Sequence, residues 1–126
     1  MKIRLLISSA IFLSCTSSEP NYDYKSVEID EIMENMDEPT WLLNRMQKSN
    51  HLIQDDWLQQ LSILQEESHA LIAIQHPDKF FRDEAQRTAQ YIDDFIAQLP
   101  SLKREEQFKK WSEVKKSCDK CHEVYE

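Results

Sequence analysis

Apolar residues recur along this chain in four separate runs, at steps of three and four, the period of an α-helix that turns one face to a core. The first run holds Ile29, Ile32, Met33, Met36, Leu43 and Met46. The second holds Trp57, Leu61, Leu64, Ser68, Leu71 and Ile72. In the third, Phe81, Ala85, Thr88, Ile92, Phe95 and Leu99 alternate steps of four and three without a break. The fourth holds Trp111, Val114, Cys118, Cys121 and Tyr125, with Phe108 and His122 beside it. No stretch carries a strand signal.

The punctuation between the runs sets the expected boundaries. Ser26 is a fair N-cap for the first helix, and Glu28, Asp30, Glu31 and Glu34 follow where the helix dipole favours acids. Pro39 should kink or restart that helix, which should fade over residues 49–55. The second helix should start near Asp56 and stop at Gln75-His76-Pro77-Asp78. The third should run over about 79–99, with Pro100 ending it and Ser101 capping the fourth. There is no Gly and there are four Pro, so tight hairpins lack their preferred residue. The expected fold is all-α: four helices of roughly twenty residues, each about 30 Å long, in an up-down-up-down four-helix bundle over residues 26–126. The end of the fourth helix then meets the first half of the first.

Residues 1–14 read as a signal peptide. Lys2 and Arg4 give the positive start, and Ile3 with residues 5–13 gives an apolar stretch too short for a stable span. Phe12-Leu13-Ser14-Cys15 resembles a bacterial lipoprotein signal, with Phe12 where a Leu is usual. Cys15 would then be the lipidated N-terminus, and Thr16 after it resembles a signal for the outer membrane. The alternative is an ordinary signal peptide cut nearby. Either way the expected compartment is the periplasm. Residues 15–25 are polar and without period, and read as a tether. Loss of Lys2 and Arg4 takes the net charge from −8 to −10, which argues against nucleic acid as a partner.

The candidate chemistry lies at the C-terminus, in Cys118-Asp119-Lys120-Cys121-His122, a C-x-x-C-H. Two thiols three apart can reach two vinyl groups on one porphyrin edge, and the next residue can bring an imidazole to the iron. On a helix these positions share a face. Half a zinc site and a redox C-x-x-C are the alternatives. The first needs further ligands, and the second should open a helix after a strand. The expected cofactor is therefore one covalent haem c held by Cys118, Cys121 and His122, inside the bundle. Met33 or Met36 is the candidate distal iron ligand, against their other reading as core fillers. His51, His69 and His76 are further ligand candidates whose default is the surface. Trp41, Trp57 and Trp111 are expected core anchors, with Trp111 also placed to stack on a porphyrin. The acidic pairs Asp55-Asp56, Glu66-Glu67 and Asp93-Asp94 read as solvated faces. No catalytic constellation is present, so an enzyme is not expected.

With these features, residues 27–126 resemble the cytochrome c′ family: an exported all-α chain, four amphipathic helices, and a single Cys118-x-x-Cys121-His122 closing the last one, with Tyr125 near it. The resemblance implies His122 as proximal ligand and a distal residue from the first helix, apolar or Met. Many members carry an Arg one turn before that residue. Ile29 and Ile32 stand there, so the haem propionates must be met otherwise. The functional expectation is electron transfer by a c-type cytochrome. The alternative is a five-coordinate haem that binds nitric oxide or carbon monoxide. Lys115, Lys116 and Lys120 surround the motif, either as helix-end charges or as a basic rim for an acidic redox partner. The other partner expectations are a diatomic gas, a membrane reached through lipid, and a second copy of the chain.

Overall fold

Helix α1 spans Tyr24–Lys48, α2 Gln54–Ala73, α3 Lys79–Gln98 and α4 Arg104–Tyr125, with a 3-10 turn at Leu99–Ser101 between the last two. The computed structural model describes residues 24–125. Cys15, the signal peptide and most of the tether lie outside the described residues. Among those described, every regular element is helical. No described helix is long and apolar enough to cross a membrane.

The helices pack in sequence order. Close backbone approaches run from α1 to α2, α2 to α3 and α3 to α4, and are sparse elsewhere. Side-chain pairs give the directions. Between α3 and α4, Asp78 meets Tyr125, Glu84 meets Lys120 and Thr88 meets Ser117, so one helix rises as the other falls. Asn35 reaches Glu67 between α1 and α2, and Gln54 and Gln65 of α2 reach Leu99 and Asp93. Asn44 of α1 meets Trp111 of α4, whereas Met33 lines a groove with His122. Each neighbour is antiparallel to the last, as the short connections require.

One core cluster joins Leu43, Trp57, Leu61, Leu64, Ile92, Phe95, Leu99, Trp111 and Val114, with Cys118 packed against it. The other joins Ile32, Leu71, Phe81, Ala85 and Cys121. Large apolar side chains buried in this way each stabilise the fold by about 1.5–3 kcal/mol. The expected face of α3 is buried throughout, Thr88 included. Trp57 donates its indole N–H to His51 O at 2.7 Å, and Trp111 donates to Asn44 Oδ1 at 2.9 Å, so neither ring buries an unmet donor.

Several boundaries differ from expectation. α1 starts at Tyr24, so Ser26 lies inside its first turn and is not its cap. Pro39 neither ends nor restarts α1, which runs through it. The proline ring is buried and the helix is pinned on both sides by Ile32 and Leu43, so tertiary packing overrides the lost hydrogen bond. Ser101 does not cap α4, because its hydroxyl turns back to Gln98 O at 2.9 Å. The start of α4 is closed instead by Glu106, whose Oε2 accepts from Lys103 N at 3.1 Å, the reciprocal half of a capping box. Trp41 is 56% exposed and is no core anchor; the Arg45 guanidinium lies 4.9 Å over its ring. Ile72 and Tyr125 are also exposed.

The chain turns without glycine by placing Asn50 (φ 57) and Gln75 (φ 54) in the left-handed region. After α1, His51 N donates to Met46 O and Asn50 N to Gln47 O, the two bonds of a Schellman cap. Asn tolerates that conformation; Gln gains no local compensation for it. At the same end as Gln75, the Asp78 carboxylate caps α3 through Phe80 N and accepts from the Tyr125 hydroxyl. That hydroxyl, and then Phe80 N–H, hold the Asp78 carboxyl below its ordinary range, while the same bond pushes the Tyr125 phenol up to about 12. Gln75→Gly should stabilise the fold by about 0.5–1 kcal/mol. Asn50→Gly should do less. Urea unfolding would show this as a raised midpoint with an unchanged slope.

Candidate functional site

The sparse approach of α1 to α4 leaves a groove between them. Its volume is about 480 Å³, within the range of small-molecule and cofactor pockets, about 300–1,000 Å³. Met33 and Met36 line its α1 wall, Cys118 and His122 its α4 wall, and Leu64, Thr88 and Ile92 its floor. Trp111 and Asn44 line it near one end, joined by their hydrogen bond. An inner cavity of about 40 Å³ shares Met33, Met36, Thr88, Cys118 and His122 with the groove, and adds Ser68, Leu71, Glu84, Ala85 and Cys121.

This arrangement follows from helical spacing. Cys118, Cys121 and His122 stand three and four apart on α4, so their side chains share a face. That face continues Val114 and Ser117 of the core, and places Cys121 8% exposed, Cys118 half-buried and His122 at the open side. Thr88 and Ser117 pair their hydroxyls at 2.5 Å, fixing the register of α3 against α4 beside the cysteines. Both thiols are free of a disulfide. Burial, and then the Asp119 charge, pushes the Cys118 thiol up to about 11. Burial, followed by the Glu84 carboxylate, also raises Cys121. Reactive C-x-x-C thiols have lowered values, and both shifts here run the other way. Among the described residues, no three His, Cys, Asp or Glu side chains converge as a metal-ion cage.

The donor set fits a haem in three respects: one free thiol and an imidazole border the groove with the second thiol in the adjoining cavity, the groove lining includes Met33, Met36, Leu64, Ile92 and Trp111, and thioethers stand on the opposite wall. Met33 and Met36 line both the groove and the inner cavity, so position does not divide them. The other histidines are engaged elsewhere. His51 Nε2 lies 2.5 Å from Asp56 Oδ2, and His69 Nε2 lies 2.9 Å from Asp93 Oδ2. His76 stacks on Phe81 at 4.3 Å and accepts from Asp78 N. None of the three lines the groove or its inner cavity. Of the lysines around the motif, Lys115 lines the groove, with Nζ 3.4 Å from Gln47 Oε1 and 5.9 Å over the Trp111 ring. Lys116 is exposed, and Lys120 pairs with Glu84 at 3.0 Å.

Glu84 escaped the sequence reading. It is 3% exposed, on the buried side of α3 between Phe81 and Ala85. The signal was present: residues 81, 84 and 88 step by three and four, so Glu84 is an acid within an apolar stripe. Comparison of the chain with protein-family models, curated proteins and solved structures gives no match.

Proposed function

We propose that this chain is a c-type cytochrome of the cytochrome c′ type, carrying one haem in the groove between α1 and α4 and transferring electrons in the periplasm. The observation that carries the reading is that Cys118, Cys121 and His122 share the inner cavity with Met33 and Met36, and that the cavity adjoins a groove lined by Cys118, His122 and both methionines. When bound, the haem supplies a one-electron couple. Cys118 and Cys121 hold it covalently through their thiols, and His122 provides the proximal imidazole. Met33 or Met36 provides the sixth ligand, closing the iron against small molecules. Leu64, Ile92 and Trp111 exclude water from the groove floor. Lys115 and Lys116 remain as the cationic part of a docking rim for an acidic redox partner, since Lys120 is committed to Glu84.

A second reading rests on the inner cavity of about 40 Å³ beside Met33, Met36 and Leu71. If neither Met ligates, that space suits a diatomic gas, and the protein binds nitric oxide or carbon monoxide. In both readings Cys15 carries lipid and holds the bundle at the outer membrane.

Three measurements test this. Protein made with a haem-attachment system should give the pyridine haemochrome of one c-type haem per chain. Haem that extracts into acidified ketone sinks the proposal. Met33→Ala and Met36→Ala, made separately, should differ in the weak far-red band of ferric His–Met haem, with loss in one variant naming the ligand. An unmutated protein that lacks the band, is high-spin and takes up carbon monoxide promotes the gas-binding reading. Mass spectrometry of the protein from its native membrane should find an N-terminus at Cys15 with attached acyl chains. Cleavage elsewhere means an unanchored periplasmic protein.

A further inference from the structure

We propose that Glu84 sets the reduction potential of the haem, through a buried carboxylate beside the inner cavity of the groove. This rests on the haem reading above. Glu84 is 3% exposed, and its Oε1 lies 3.0 Å from Lys120 Nζ and 3.3 Å from Arg87 Nη1. Its Oε2 is buried and has no hydrogen-bond partner. Glu84 lines the cavity of about 40 Å³ together with Met33, Met36, Cys118, Cys121 and His122. The chain therefore holds a carboxylate against the attachment site, with one oxygen satisfied and the other not.

Burial makes this group's charge more effective than that of its partners. Lys120 and Arg87 are about half exposed, at 50% and 49%, so water screens their charges. Glu84 is enclosed, where the dielectric is low and a charge acts more strongly on its neighbours. A satisfied ion pair would need both oxygens met, and a half-satisfied buried acid costs stability. Its place in the wall of that cavity gives that cost a use. Iron(III) in a haem carries one unit of positive charge more than iron(II), and reduction adds one electron without forming or breaking a bond. A fixed carboxylate beside the site favours the oxidised state, and the half-exposed Arg87 and Lys120, the latter within the attachment motif itself, offset part of it. Asp119 also lines the groove, but it is exposed, so its charge is screened.

Potentiometric titration of the holoprotein at neutral pH tests the idea in three variants. Glu84→Gln keeps the side-chain shape and removes the charge. At the unmutated midpoint it should raise the ratio of reduced to oxidised haem at least threefold, where a tenfold change corresponds to about 59 mV for one electron. Lys120→Met leaves the carboxylate less compensated and should lower the ratio at least twofold. Asp119→Asn should change it less than twofold. Opposite signs for Glu84→Gln and Lys120→Met are the signature of charge, since loosened packing would move both the same way. A smaller or reversed shift in Glu84→Gln, shifts of one sign in both, or an Asp119→Asn effect as large as that of Glu84→Gln overturns the proposal. If Glu84→Gln does not accumulate with haem, Lys120→Met decides alone: an unchanged or raised ratio overturns it. Covalent haem with an unmoved midpoint sinks this proposal only. Absence of covalent haem from the unmutated protein sinks the cytochrome reading and this one with it.

Discussion

The distance that α1 keeps from α4 governs the arrangement of the site. Were the two helices to pack as closely as their neighbours, Met33 and Met36 would fill the space in front of Cys118 and His122. They are held apart at one end by a large side chain with its own anchor. Trp111 is buried, touches the core cluster of Trp57 and Phe95, and fixes its indole on Asn44 of α1. Lys115 adds a second link to Gln47 over the same ring. These contacts tie the helices through side chains where backbones approach little, and the groove continues from them along the bundle.

The α3–α4 seam is built on the opposite principle. It is close, and it carries polar pairs inside: Thr88 with Ser117, and Glu84 with Lys120. Apolar ridges alone tolerate a slip of one turn better than hydroxyls and charges do, because a slipped polar group is left unmet in the interior. The pairs therefore fix which turn of α4 faces which turn of α3. In consequence they fix where the cysteines fall relative to the groove.

How much of this was legible depended on whether a residue's role is local. The stripe of α3 was readable because burial of one helical face imposes its period on the sequence, and Phe81 through Leu99 obey it without exception. The shared face of Cys118, Cys121 and His122 follows from spacing alone. Pro39 does not restart the helix because propensity is local, whereas the burial of its ring and the anchoring of both flanks are not. Ser101 had the right chemistry for a cap but stood two residues too early, and the reciprocal bond of Glu106 took the position at Lys103. Trp41 looked like core by size, yet it stands at the groove's open side. The groove itself has no sequence signature, since it arises where the backbones of two helices stay apart. Glu84 was passed over because an acid reads as solvated by type, although its step between Phe81 and Thr88 sets it on the apolar stripe.

The order in which the helices pack also shapes how the chain acquires its structure. Each helix rests mainly on the one before it, so most native contacts join residues close in sequence. Chains of such low contact order form quickly, in about microseconds to milliseconds. The last helix can dock on α3 without waiting for α1, because the seam between the chain's two ends is the thinnest. Closure of the bundle is therefore not a prerequisite for assembling the surface that bears the cysteines.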